Sequence, residues 1–301
     1  MPVDSLINLR NDVIFKVVFG YEKNEKLLIS LLNAILNLTG NEKIVKLTFL
    51  NAFNIKEYLN DKLTSLDVKV EDGTGVRYNV EMQLAPDTSY ISRIIYYHDK
   101  LYTGQLKQAE PYDALLRAIS ISILNFILFE NETDLHNIYR YLNIKSKNQL
   151  TDLKELHFIE LPKYTEDKPR KNLTKLEKWL HALKFGEIYA TNLNNLPAVL
   201  KEEEEIVMAL QEMIKASNDD LVREILEMRE RGRHEEATRL YRAEQKGMEK
   251  GMEKGMEKGM EKGKIELARE LYKDGYPVEK LAAKFKVSAE KMKELLTCSD
   301  T

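Results

Sequence analysis

Asp67, Glu81 and Gln83 are the residues whose types and spacing are best suited to chemistry. They lie in SLDVKV (65–70) and VRYNVEMQL (76–84), two segments in which apolar and polar residues alternate as in half-buried strands. Leu66, Val68 and Val70 share one face with Val76, Tyr78, Val80, Met82 and Leu84, which leaves Asp67, Lys69, Arg77, Asn79, Glu81 and Gln83 on the other. The connecting EDGTG, with two glycines and an Asp-Gly pair, predicts an antiparallel hairpin. A turn centred near Gly73 sets Asp67 opposite Asn79, with Glu81 one diagonal step away, about 7–8 Å. Two carboxylates that close on a partly buried face repel unless a proton or a cation lies between them. A hard divalent ion with oxygen ligands, such as magnesium, is the common solution. The same residues also fit ordinary cross-strand surface pairs, Asp67 with Lys69 and Glu81 with Arg77.

The elements that must position this hairpin are mixed. NDVIFKVVFG and NEKLLISLLNAILNL place apolar residues three and four apart, as helices do, whereas KIVKLTFL has strand character. Residues 1–160 therefore read as an α/β core. After the charged, proline-punctuated LPKYTEDKPRKN, residues 161–245 read as a helical region, with the acidic run KEEEE (201–205) as a solvated helix face. GMEK repeats fill 246–264, and 265–301 forms a helical tail.

A chain of 301 residues with 43% apolar residues can bury a proper core, and its net charge of −3 confines any nucleic-acid binding to a local patch. Its single cysteine, Cys298, allows no intramolecular disulfide and suits a reducing compartment. MPVDSLINLR has no basic start followed by an apolar run, which predicts no signal peptide. The most apolar stretch, residues 114–129, is broken by Arg117 and falls short of the roughly 20 residues of a membrane helix. The expectation is a cytoplasmic protein without a membrane partner.

An acidic residue, a turn, then Glu-x-Gln on the next strand resembles the PD-(D/E)XK nuclease fold, and within it the Rpn (recombination-promoting nuclease, transposase-like) branch. NDVIFKVVFG, SRIIYYHDKLYTGQL, RAISISILNF and LHFIELPKY match that branch in the same order. The resemblance implies a restriction-endonuclease-like α/β core, a mixed sheet flanked by helices, with a helical C-terminal region. It implies a metal-dependent DNA endonuclease, using Mg²⁺ or Mn²⁺ and linked to recombination or to mobile-element or phage DNA. Asp67, Glu81 and the backbone carbonyl of Met82 would hold the metal, and Asp12 would be the acidic residue of the first helix. Gln83 stands where the superfamily carries lysine, and an amide orients a water but does not take its proton. Lys16, one turn after Asp12, or Lys69, beside Asp67, would supply the missing charge. Arg93 and Tyr97, at i and i+4 on a helix capped by Asp87, would hold a phosphate. The lysine-to-glutamine departure equally suits a catalytically silent DNA-binding or assembly protein of the same fold. The five histidines show no metal-ligand spacing and read as structural or exposed.

In the tail, a helix brings Gly247, Gly251, Gly255, Gly259 and Gly263 into a slowly rotating stripe beside Met248, Met252, Met256 and Met260. Each glycine costs about 1 kcal/mol against alanine. A flexible spacer and a self-association helix making a homo-oligomer are both compatible with this pattern. LAAKFKV followed by Ser288 and AEKMKELL resembles a helix-turn-helix with Lys286 at the usual glycine position of the turn. Its second helix, with two Glu and two Lys, is a poor phosphate reader.

Overall fold

The computed structural model describes residues 8–51, 67–165 and 171–297; Cys298 lies outside them. The chain divides into two compact units, residues 1–230 and 231–301.

The first unit is built on a six-stranded sheet of order β1-β2-β3-β4-β6-β5. Its strands are β1 (Leu47–Phe49), β2 (Val68–Asp72), β3 (Arg77–Gln83), β4 (Ala118–Leu124), β5 (His136–Arg140) and β6 (Lys154–Glu160). β3, β4 and β6 run parallel, and β1, β2 and β5 are attached antiparallel, so the sheet is mixed. The apolar run around Ile119, Ile121 and Ile123 is the central strand β4, buried along its whole length. Four helices pack on the face carrying Val68, Val80, Ile121 and Ile159: α1 (Asp12–Phe19), α2 (Glu25–Ile35), α4 (Lys175–Phe185) and α5 (Glu204–Ser217). The other face is covered by α3 (Tyr90–Thr103), through Tyr90, Ile94, Leu124 and Phe158. The α/β layering expected from the sequence is therefore present.

Residues beyond 160 join the same core. Trp179 of α4 packs edge-on to Phe19 and donates to Ser30 Oγ at 3.2 Å, while Leu210 and Met213 of α5 are fully buried in the same cluster. Within the acidic run, Glu203 accepts from the buried Lys178 at 2.9 Å, so that part of it is not a solvated face.

The hairpin register departs from the sequence expectation by one step. Asp72 accepts the Gly75 amide at 3.0 Å and donates its own amide to Val76 at 3.0 Å, and Gly75 takes φ +89°. A three-residue loop, Gly73-Thr74-Gly75, thus closes the hairpin with glycine in the left-handed position. Asp72 Oδ1 fastens it by accepting from Thr74 N, Thr74 Oγ1 and Val76 N. The turn centres on Thr74, pairs Lys69 with Asn79 and Val68 with Val80, and so carries Asp67 directly opposite Glu81 instead of diagonal to it.

In the second unit, residues 231–273 continue the helix α6 (Asp220–Lys273), followed by α7 (Val278–Phe285) and α8 (Ala289–Thr297). Ala268, Leu281, Ala282 and Met292 form a small core among the three. Lys286 closes α7 in the left-handed conformation (φ 57°), and Ser288 Oγ accepts from Lys291 N to start α8. The repeat is helical and exposed throughout: apart from the neighbouring residues and backbone of the helix itself, no described atom lies within 4 Å of a Cβ placed on any of its glycines, and Met252 is 76% exposed. Among the described residues no helix is long and apolar enough to cross a membrane.

Candidate active site

Alternation along β3 sends Arg77, Asn79, Glu81 and Gln83 to the face under α3, with Ser120 and Ser122 beside them on β4. Glu81 is enclosed there. Tyr90 donates to its Oε1 at 2.5 Å, and Ser122 Oγ donates to the same oxygen at 3.3 Å. Burial, assisted by the facing charge of Asp67, pushes the Glu81 carboxyl above the usual carboxylate range against the lowering effect of these hydrogen bonds. Next to Glu81 on this face, Asn79 is buried and its Oδ1 has no hydrogen-bond partner among the described residues.

Asp67 is held by its backbone. Asn51 donates to the Asp67 carbonyl at 3.0 Å and accepts from Lys69 N at 2.8 Å, prolonging the sheet edge with a side chain. Lys16 reaches the same carbonyl from α1. Its aliphatic chain crosses Gly20, where an added Cβ would lie 2.8 Å from Lys16 Cδ. Burial lowers the Lys16 ammonium to about 8, against the opposing attraction of Asp67. Lys69 pairs with Asp67 Oδ2 at 3.1 Å and lies 5.8 Å from the centre of the Tyr97 ring.

The remaining expected residues are placed unequally. Asp12 opens α1 but is not its cap, which is Asn11, and its carboxylate pairs with Arg229 at 2.5 Å. Among the described residues no three acidic or histidine side chains converge on one point, so Asp12 is not brought into a cluster with Asp67 and Glu81. Gln83 is partly exposed and donates to the Ala85 carbonyl at 3.3 Å. Asp87 does not cap α3: the cap position is Ser89, which Asp87 holds through Ser89 N and Oγ while pairing with Arg93 at 2.8 Å. Arg93 is half-buried and Tyr97 is exposed on α3. Met82 points its side chain into the opposite core. Because the Gln83 carbonyl accepts from Asn125 on the β4 side, the Met82 carbonyl turns to the β2 side, toward Asp67.

The donor set suits a hard divalent ion: two opposed carboxylates, a carbonyl aimed at the same edge and, nearby, an amide oxygen without a partner among the described residues, all oxygen. Tyr90 and Ser122, the side chains that hold Glu81, carry no strong sequence signal, because their role depends on α3 folding over β3 and β4.

Comparison with curated proteins and with solved structures gives no significant match. The model of the PD-(D/E)XK nuclease family transposases matches residues 9–243, which takes in the sheet, every residue of the hairpin face and the first half of α6. That match extends over most of the chain, and the protein belongs to the PD-(D/E)XK nuclease family transposases.

Proposed function

We propose that the protein is a metal-dependent DNA endonuclease of the Rpn type, cutting phosphodiester bonds on the Asp67–Glu81 face with Mg²⁺ or Mn²⁺. The observation that carries this reading is the opposition of Asp67 and Glu81 across the β2–β3 ladder, with Glu81 held charged only at a cost by burial. Asp67, Glu81 and the Met82 carbonyl are the residues that would hold the ion; when bound, it would lower the pKa of a water and stabilise charge at phosphorus. The chain's own residues do the rest. Tyr90 and Ser122 fix the Glu81 carboxylate, so its oxygens need no reorganisation. Gln83, at the open end of β3, orients the attacking water through its amide. Lys16 and Lys69 place positive charge beside Asp67 in place of the family lysine, and Lys69 exchanges its carboxylate partner for the substrate phosphate when DNA binds. Arg93 and Tyr97 line the exposed side of α3 and hold the DNA backbone.

The test is plasmid cleavage with and without Mg²⁺, paired with calorimetric Mn²⁺ binding. The parent should cut only with the ion, whereas Asp67→Ala and Glu81→Ala, still folded, should lose both cleavage and ion binding. Ion binding without cleavage would favour the silent DNA-binding reading, to which the glutamine at 83 belongs.

A further inference from the structure

The other face of the sheet carries a second polar centre. His157 of β6 and His136 of β5 lie on the side of Ile121 and Ile138, opposite to that of Glu81. His136 Nε2 is 2.8 Å from His157 Nδ1, and His157 Nε2 is 2.5 Å from Glu155 Oε1. Glu155 and His157 are each only 2% exposed. The other Glu155 oxygen accepts from Arg140 Nε at 2.5 Å and from Arg117 Nη2 at 3.4 Å. These groups border a cavity of about 1000 Å³ between the sheet, α2 and the start of α4, at the upper end of small-molecule pockets.

The direction of the hydrogen bonds follows from the acid. Burial alone would raise the Glu155 carboxyl, but the bonds from His157 and Arg140 bring it down to about 2, so at neutral pH it only accepts. His157 Nε2 then carries the proton. One of His157 Nδ1 and His136 Nε2 donates to the other, and His136 Nδ1 has no hydrogen-bond partner among the described residues. Glu155 also orients two guanidinium groups without using them up. Arg117 bonds through Nε and Nη2, and Arg140 through Nε and Nη1, so each retains one amino nitrogen. The walls are charged in one sense: five Lys or Arg line the cavity against two Glu, although the chain as a whole is acidic. Ile29, Leu36, Ile119 and Ile138 supply an apolar wall.

We propose that this cavity binds a nucleoside phosphate, its phosphate on Arg117 and Arg140, a hydroxyl group on His136 Nδ1, and its base against the isoleucine wall. A pin that merely fastened the edge strand β5 would need no surplus of cations and no unpartnered imidazole nitrogen beside an apolar surface. The ligand can be a free nucleotide or the 5′-terminal nucleotide of a strand, which share this chemistry.

Isothermal titration of the full-length protein with AMP, ADP, inorganic phosphate and a 5′-phosphorylated dinucleotide tests the site. Saturable one-to-one binding of AMP or ADP is expected for a free-nucleotide site, and preferential binding of the dinucleotide for a strand-end site. Arg117→Gln, which leaves Glu155 its shorter Arg140 bond, should weaken either about tenfold or more, and Ile138→Trp, which fills the cavity from a half-exposed position, should abolish it. Asp67→Asn should leave it unchanged, so the outcome is separable from that of the nuclease site. Absence of binding up to millimolar concentrations, phosphate binding as tightly as AMP, or equal affinity in both folded variants would overturn the proposal.

Discussion

Asp67 faces Glu81 across the β2–β3 ladder, one pair beyond Val68 and Val80, and the two carboxylates repel, while Lys69 pairs with Asp67 Oδ2 at 3.1 Å. Sites that hold like charges together sacrifice stability for function. Glu81→Gln keeps an oxygen to accept from Tyr90 while removing the half-buried charge. In metal-free buffer it should raise Tm by about 2–4 °C, the shift that ~1 kcal/mol gives in a unit of this size, and it should abolish cleavage. A lower Tm in scanning calorimetry would show that the pair is not repulsive.

Gly75 sets the register that creates this opposition. Its φ of +89° is costly for any side chain, and an added Cβ would fall 2.4 Å from Leu116 Cδ1. Gly75→Ala should destabilise the first unit by about 1–2 kcal/mol or more in urea denaturation. It should also cut nuclease activity in the fraction that remains folded, since Asp67 and Glu81 move together only through this turn. Full activity at reduced stability would uncouple turn from site.

Replacing Gln83 separates orientation from charge. Gln83→Ala should lose about 10²-fold in cleavage rate, as removal of one positioned polar group does. Gln83→Lys should retain or raise the rate by restoring an ammonium near phosphorus. An alanine variant as active as the parent would make Gln83 a bystander.

Acid should unfold the first unit in two steps of different origin. Burial holds His98 and His136 at about 4, well under their ordinary 6.5. The unfolded chain therefore takes up protons first, and stability falls as pH drops from 6.5 toward 4. Glu155, at about 2 against an ordinary 4.5, removes further stability as pH drops from 4.5 toward 2. Tm measured from pH 7 to pH 5 should decline by several degrees, and His98→Gln should flatten that decline. A Tm independent of pH over this range would contradict both burial assignments.

Truncation before Gly247 tests self-association. The exposed Gly/Met surface has no partner in a single chain, and a helix so rich in glycine gains stability from contacts that a second copy would provide. Light scattering should show an oligomer for the full chain and a monomer for the truncated one, with plasmid products moving from linear to nicked. Equal masses would return the repeat to a spacer.

Much of this was legible in the residues. Alternation in SLDVKV and VRYNVEMQL places Asp67, Glu81 and Gln83 on one face, and the apolar runs of α1 and α2 identify the helices that cover the other. The register was not legible to within one step, because EDGTG closes equally well with either glycine in the turn and only the left-handed Gly75 decides it. Ser122 and the His136–His157–Glu155 chain were invisible for another reason. Ser122 meets Glu81, and His136 meets His157, across strands that are neighbours in space but 41 and 21 residues apart in the chain. Histidine spacing along the chain says nothing about partners on adjacent strands. Tyr90 reaches Glu81 only once α3 folds back over β3. Asp12 shows the converse: a suitable type near the start of a helix, drawn instead to Arg229.

The repeat also makes α6 an adjustable ruler. Between Arg231 and Lys264 the side chains of the helix are exposed, along about 50 Å of rod ahead of the three-helix core at its end. Each four-residue unit adds about 6 Å and turns the downstream helix by about 40°. A chain that gained or lost one unit would keep the terminal core's own contacts while lengthening or shortening the helix that leads into it and turning its phase. Nine units would restore the phase, so tandem duplication changes the length of this helix in small quantised steps without altering the packing of the terminal core.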